Sequence, residues 1–424
     1  MISQNRHSAV YYRWLIFWIL ALGYILVYFH RLCPAVMAVD MMADLKTGGA
    51  LTGFLASAYF YPYAMMQLPA GLLSDSWGPR NTITAFFFVA CVGSIILGLA
   101  TSAGMAIFGR ALVGLGVAML FVPTLKILSA WFVPKEFAQM TGILMAMGGI
   151  GSLSAASPLV WLNSVIGWRY SFIWVGVATC ILGIMVWTWV RDTPSKKGWP
   201  DIVHPLSSSN QPISLMTGLK TVISSPYFWP VAIWFFFTCG IFFTVGGLWG
   251  GPFLTHVYGM NRFESGRILS MLAIGMIVGS PLLSYLSTHV VKGRKPVFVV
   301  SAIMMMGITG ILTVFIDQLP KISLYLIFLG IGIFSSAIVV IGFTATKELF
   351  PVQIAGTATG LVNLFPFAGG AIMQPFTGYL LERQGRMADA FTVSGYRSLF
   401  AFMLISSVIA FLACLKMKES FKHH

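Results

Sequence analysis

Twelve long stretches of mostly apolar residues recur along this 424-residue chain, and a polypeptide patterned that way has few ways to fold. They fall at roughly residues 14–40, 50–73, 81–101, 105–132, 138–162, 168–190, 228–256, 266–288, 296–316, 322–346, 354–380 and 395–415. About twenty such residues suffice to cross a bilayer as a helix. In lipid every backbone polar group must be satisfied internally, so spans of this length form helices. Composition removes the alternatives. Only 9% of residues are charged, against about 25% in soluble proteins, too few to coat a soluble particle of this length. The 58% hydrophobic content excludes disorder, which requires low hydrophobicity. The sequence therefore predicts an all-α membrane protein with twelve transmembrane helices.

An even number of spans puts both termini on one side, and the basic residues say which. Of 26 Lys and Arg side chains, fifteen fall in segments on the side of the termini and eight on the other, so the positive-inside rule makes both termini cytoplasmic. The expected location is the inner (plasma) membrane of a bacterium. The net charge of +14 reads as orientation, not as nucleic-acid binding. Three bases remain inside spans: Arg31, Arg110 and Lys126. No A-x-A-like cleavage site follows the first apolar run, which reads as an uncleaved span. The five cysteines show no CxxC and no metal-type spacing, and read as small buried hydrophobes.

Between spans 6 and 7 lies a polar run with Pro194, Pro200, Pro205 and Ser-Ser-Ser-Asn. It divides the chain into a bundle at 1–190, a cytoplasmic linker with a short interfacial helix at 191–226, and a bundle at 227–424. The halves repeat. Phe132 precedes Gly142 as Phe350 precedes Gly360, and Gly151 matches Gly369 at the same offset. The expectation is two pseudo-symmetric six-helix bundles with a substrate path between them near mid-membrane.

After span 2, Gly71-Leu72-Leu73-Ser74-Asp75-Ser76-Trp77-Gly78-Pro79-Arg80 fits G-x-x-x-D-x-x-G-x-R. Gly71 permits close helix approach, Gly78 a tight turn, and Asp75 accepts a charge-assisted bond from Arg80 or a helix N-terminus. Such a latch holds one conformation of a rocking machine. This motif, in its place after the second of twelve spans, resembles the loop signature of the major facilitator superfamily. Arg110-Ala-Leu-Val-Gly114-Leu-Gly116 in span 4 resembles that superfamily's R-x-x-x-G-x-G; the alternative is an arginine snorkelling to the outer interface. The copy after span 8 carries Thr288 where the family often has Asp, which implies a weaker latch. Span 5 has Gly148-Gly149-Ile150-Gly151 and no Gly-Pro, unlike drug/proton antiporters, which favours uptake over export.

Span 1 carries Tyr24, Tyr28 and Arg31 on one helix face. An arginine deep in an apolar run faces an aqueous cavity or bonds backbone carbonyls. Tyr28-Phe29-His30-Arg31-Leu32-Cys33-Pro34 resembles span 1 of the anion:cation symporter branch, with His30 where that branch has an acid. Pro123-Thr124-Leu125-Lys126 resembles the segment where the branch places its second cation. By that resemblance Arg31 and Lys126 converge on a carboxylate or phosphate; the alternative is that Lys126 snorkels toward the cytoplasm. Sugar-phosphate permeases resemble the chain too, but span 7 has no second arginine. Further candidates for substrate contact are Tyr59, Tyr63 and Gln67 in span 2, Trp249 beside Gly250-Gly251-Pro252 in span 7, and Asn363 and Gln374 in span 11. Each is equally suited to helix packing.

All twelve acids fall at span ends or in loops, so His30 becomes the candidate proton-coupling residue: a neighbouring arginine disfavours its proton and an arriving anion restores it. The expected function is secondary active transport of a small carboxylate-bearing anion by alternating access, with proton-coupled uptake, by a monomer in the lipid bilayer, with no cofactor, metal or nucleic acid. Facilitated diffusion is the simpler form. Export of drug-like or siderophore compounds, an amino-acid or peptide carrier, and a transporter-like sensor are the competing classes. An enzyme is not expected, since no HExxH, Walker-type Gly-Lys-Ser/Thr or intramembrane carboxylate pair is present.

Overall fold

The computed structural model describes residues 2–200, 215–387 and 390–421, and they are helical almost throughout. Most of the predicted linker (201–214), Asp389 and the terminal His423–His424 lie outside the described residues. Span 1 is α1 (Ile2–Leu32) and α2 (Pro34–Leu45); span 2 is α3 (Gly49–Ser57), α4 (Phe60–Met65) and α5 (Gln67–Ser76). Span 3 is α6 (Pro79–Gly98), and span 4 is α7 (Ala103–Ala118) with α8 (Phe121–Trp131). Span 5 is α9 (Pro134–Ser154) and the first part of α10 (Ser157–Trp189); span 6 is the rest of α10, beyond a non-helical Gly167 at φ 75°. After a short α11 (Leu215–Ser224) come α12 (Phe228–Thr244), α13 (Gly250–Tyr258), α14 (Arg262–Tyr285) and α15 (Lys295–Val314). The chain ends with α16 (Lys321–Ile331), α17 (Val339–Leu349), α18 (Val352–Val362), α19 (Leu364–Arg383) and α20 (Val393–Lys416). A two-residue-strand hairpin, β1 (Arg386–Met387) with β2 (Ala390–Phe391), joins α19 to α20.

Among the described residues nine helices are long and apolar enough to cross a membrane. The other three stretches, Gly49–Ser76, Pro134–Ser154 and Val352–Arg383, are also helical but broken or glycine-rich. The outer surface is apolar, as a lipid-facing surface must be: α10 alone exposes Trp161, Tyr170, Trp174, Ile181, Ile184 and Trp187.

Most of the breaks have one cause. Proline has no N–H, so it frees the carbonyl four residues earlier. Pro34, Pro62, Pro69, Pro123, Pro158 and Pro366 each follow an interruption that falls between the freed carbonyl and the proline. A freed carbonyl in lipid needs another donor. His30 O, opposite Pro34, receives Arg110 Nη1 at 2.7 Å. Ala371 O, opposite Pro375, receives the Tyr61 hydroxyl at 2.8 Å, from the other half of the chain.

The sequence repeat has a structural counterpart. Phe132 and Phe350 cap α8 and α17 in the same extended conformation, φ/ψ −125°/138° and −119°/151°, and each is followed within two residues by a new helix.

The two halves meet along a seam where α3 and α4 pack on α19, α9 and α10 on α14, and α2 on α13. At the end remote from the termini (the far end) the backbones touch. A Cβ on Gly49 would lie 2.5 Å from Gly378 O, one on Gly53 2.5 Å from Gln374 O, and one on Gly251 1.9 Å from Ala35 O. Small residues are what permit such close crossings in a membrane. Polar bridges reinforce them: Arg262 to Asp40 at 2.5 Å, Ser157 to Ser270 at 3.0 Å, Ala50 N to Glu382 at 3.2 Å and Arg386 to Thr47 O at 3.2 Å. Toward the end carrying the termini (the terminal end) the seam thins, and there Asn363 Nδ2 donates to Gln67 Oε1 at 2.8 Å.

Candidate functional site

Arg31 sits where the seam changes character. The one-face spacing of Tyr24, Tyr28 and Arg31 is realised: Tyr24 and Tyr28 meet edge-on at 5.4 Å, and the Arg31 guanidinium lies over Tyr28 at 4.4 Å. Tyr63 of α4 at 5.0 Å, Phe367 of α19 at 4.9 Å and Phe243 of α12 at 5.6 Å complete an aromatic cage drawn from both halves. Cation–π attraction holds the faces of the guanidinium and leaves its edge for hydrogen bonds. Arg31 is 4% exposed and its Nε has no hydrogen-bond partner. Among the described residues no carboxylate lies within ion-pair distance of it. Arginine is never neutral, so the cage holds a cation that the protein does not neutralise.

The remaining predicted residues divide into three groups. Tyr59, Gln67 and Asn363 border the cage. Tyr59 stacks on Tyr63 at 5.5 Å and donates to Val27 O at 3.3 Å. Gln67 and Asn363 form the amide bridge one turn toward the terminal end, beside the helix breaks at Met66 and Asn363. Gln374 and Trp249 belong to the far-end closure: Gln374 Nε2 donates to Phe243 O at 2.8 Å, and Trp249 Nε1 donates to Gln374 O at 3.3 Å. The Gln374 Oε1 is buried without a partner. His30 and Arg110 lie in the interior of the first half. His30 points away from the cage, because neighbouring residues on a helix diverge by about 100°. Both its ring nitrogens are buried without partners. Arg110 is fully buried, not snorkelling, and braces α1 and α3 through His30 O, Cys33 Sγ at 3.8 Å and Ala56 O at 3.5 Å.

Lys126 is not brought to Arg31. Its Nζ bonds Asp75 at 2.5 Å and Ser74 O at 2.9 Å, half-exposed at the terminal end. That rewires the expected latch. Asp75 pairs with Lys126 instead of Arg80. Arg80 donates to Trp187 O at 2.5 Å and stacks on that indole at 4.3 Å. The carboxylate at the N-terminus of α6 is Asp192, which accepts from Arg80 N at 2.7 Å. Gly78 does turn the chain, at φ 91°, a conformation suited to glycine. Gly71, expected at a close helix approach, has open space around its would-be Cβ, because α5 lies where the seam has parted.

The second latch is better buried than the first. Arg294 bonds Ser287 and Thr288 at 3.1 Å and pairs with Glu348 at 3.1 Å. The side chains of that pair are 10% and 27% exposed, against 44% and 72% for Lys126 and Asp75. Glu419 accepts from the Arg294 and Lys295 backbones at 2.9 and 3.0 Å. Burial alone would raise the Glu419 carboxyl, but backbone N–H groups of Arg294, Phe421, Lys295 and Ser420 outweigh it and hold it below the usual range. Phe243, Tyr61, Asp40 and Arg262 are functional candidates that the sequence reading passed over, whereas Phe367 lies on the helical stripe of Asn363 and Gln374 in span 11. Tyr61 alone had a signal: a hydroxyl is needed wherever a proline frees a carbonyl.

Comparison with known proteins fits this arrangement. The chain is similar to the uncharacterized transporter YybO of Bacillus subtilis, with 26% identity over 404 residues and 91% of each chain covered. It is 24% identical to the hexuronate transporter of Escherichia coli K12, covering 94% of both, and 24% identical to a probable hexose phosphate transport protein of Chlamydia trachomatis, covering 95% and 90%. Among solved structures, a D-xylose–proton symporter superposes with a TM-score of 0.75 at 16% identity, covering 97% and 99%. The inward-facing, unoccupied bacterial homolog of the human lysosomal transporter Spinster superposes at 0.73 and 19%, covering 95% and 97%. These relatives are named as transporters or transport proteins, and this protein, with nine helices among its described residues long and apolar enough to cross a membrane, is a multi-pass membrane transporter, not an enzyme. The family model for the Major Facilitator Superfamily matches residues 20–373 and 252–424, and the chain belongs to that superfamily.

Proposed function

We propose that this transporter carries a small, carboxylate-bearing organic anion across the bacterial inner membrane by alternating access. The carrying observation is Arg31: a buried cation between the halves, caged by rings and without a carboxylate partner. A buried charge is costly unless paired, and an incoming anion pairs it through the free edge of the guanidinium. Relatives named as transporters of hexuronate, sulfoacetate (probable) and galactarate/D-glucarate (probable) support the same reading, since each of those compounds is an anion.

In this proposal the two bundles, 1–190 and 227–424, rock about the cage, with 191–226 as linker. Both termini are cytoplasmic and the bonded far end is outside, so the described conformation is closed outward and has only a thin amide bridge on its inner side. The protein acts as a monomer. His30 is the proposed coupling site: an anion on Arg31 lowers the positive potential next door, and a buried imidazole with unpartnered nitrogens then takes a proton. This makes uptake proton-coupled.

The test is a thermal-shift screen of carboxylates, amino acids and phosphates on the purified protein, repeated with Arg31→Ala. Stabilisation by carboxylates that vanishes in the variant is the expected result. Equal stabilisation in both proteins sinks the assignment of the site. For coupling, His30→Gln in proteoliposomes should abolish accumulation driven by a pH gradient while leaving exchange intact; unchanged accumulation removes His30 from the mechanism.

A further inference from the structure

We infer that the Arg31 site takes a ligand bearing one negative charge, a monocarboxylate, in preference to dicarboxylates and phosphate monoesters; the inference rests on the anion-transport reading above. The argument is a charge balance. The sequence places three bases within spans, and a site built from all three would suit a dianion. The structure commits two of them elsewhere.

Arg110 directs Nη1 to the backbone carbonyl of His30 and Nη2 to that of Ala56, while its Nε is buried without a partner. The Tyr59 ring lies against its guanidinium at 5.2 Å and stacks on Tyr63 of the cage. Tyr59 meets Arg31 as well, so a single tyrosine stands between Arg110 and Arg31. Lys126 is neutralised by Asp75 and lies toward the terminal end. Its helix reaches the cage region through Phe121, five residues earlier, which packs on Tyr24 at 5.6 Å.

What faces the Arg31 guanidinium is Tyr28, Tyr59 and Tyr63 from the first half and Phe243 and Phe367 from the second. None of these carries a positive charge, and the amides of Gln67 and Asn363 that close the terminal side are bonded to each other. The site therefore goes from +1 when empty to neutral with a monoanion. A dianion leaves one charge buried among rings with no cation for it, which is among the costliest arrangements in a protein interior.

The experiment uses the full-length purified protein and two matched probe series at constant ionic strength and neutral pH. One series is D-glucuronate, D-glucarate and D-glucose 6-phosphate; the other is benzoate, phthalate and phenyl phosphate. Affinities are measured by calorimetry. The expected result is that, in at least one series, the monocarboxylate binds roughly tenfold or more tightly than both dianions. Its affinity falls roughly tenfold to a hundredfold in Arg31→Gln. Arg31→Lys, which keeps the charge but loses the fork, retains the preference at reduced affinity and guards against a misfolded Gln variant. Lys126→Gln leaves the ratio of affinities unchanged. A dianion that binds as well as the monocarboxylate or better, with the advantage removed by Lys126→Gln or not, overturns the single-charge inference and leaves the anion reading standing. No binding by any of the six probes, or binding indifferent to Arg31→Gln, overturns both.

Discussion

The two ends of the seam are closed by different physics. At the far end, glycines put backbone against backbone, with Gly49 on Gly378 and Gly53 on Gln374, and ion pairs and hydrogen bonds lock the contact. At the terminal end, contact rests on side chains: the Gln67–Asn363 amides and the Tyr63–Phe367 rings at 4.3 Å. Backbone contacts cannot yield by changing rotamer, whereas side chains can. The far end is therefore a closed wall that must separate as a unit, and the terminal end a thin gate that side-chain rotamer changes can open. Arg31 lies between them, 4% exposed, so in this conformation the caged cation is shut off from the terminal end by the thin side alone.

The largest effect should come from breaking the wall. A Cβ at position 53 meets Gln374 O at 2.5 Å and Pro375 Cα at 2.6 Å, and neither backbone atom can step aside. Gly53→Val should cost the far-closed state about 3 kcal/mol or more, on the scale of overpacking. That shifts the conformer ratio more than about a hundredfold and stops transport. Spin labels on exposed Ala43 and Phe263 should then report a longer far-end distance than in the parent. An unchanged distance with normal uptake would mean that the glycine contact does not set the closure.

A smaller effect tests the polar part of the wall. Asp40 and Arg262 pair across the halves with side chains 19% and 53% exposed. Solvent screens a half-exposed pair, which limits its worth to no more than about 1 kcal/mol. Asp40 also accepts from Asn163 at 2.7 Å within its own half. Asp40→Asn should lengthen the same label distance in only a minor fraction of molecules, with slowed but measurable transport. A complete shift, as large as that of Gly53→Val, would make the ion pair the dominant closure and reverse the ranking.

The contrast between the ends also marks what a sequence can disclose. The helical membrane architecture was legible because lipid leaves an apolar run no other structure, and the breaks within the helices fall mostly beside prolines. The face shared by Tyr24, Tyr28 and Arg31 follows from helical spacing within one span. Everything that required knowing which span lies opposite was not. Lys126 near the end of its span suits a cavity or a latch equally, and the choice was made by Asp75, fifty-one positions away. Phe243 sits in an aromatic-rich helix where no single ring stands out. Thr288 in place of an acid suggested a weak second latch, yet Arg294 and Glu348, from other segments, supply the buried pair.

The most local expected effect is at the thin gate, and its logic is that of a bonded pair. Gln67→Leu removes the acceptor and leaves Asn363 Nδ2 without its partner, whereas Leu at both positions leaves no orphan. A lost hydrogen bond with one polar group stranded costs about 1–2 kcal/mol, and replacing both partners costs less. Each single variant should therefore open the terminal end, seen as a longer distance between labels on exposed Ser76 and Gly356, with the far-end distance unchanged. The double variant should open it less than the sum of the two, and the interaction energy from the cycle should be about 1 kcal/mol. Strict additivity would show that the amides do not hold the gate together. The thin closure would then fall to the Tyr63–Phe367 contact alone, which Phe367→Leu would open in their place.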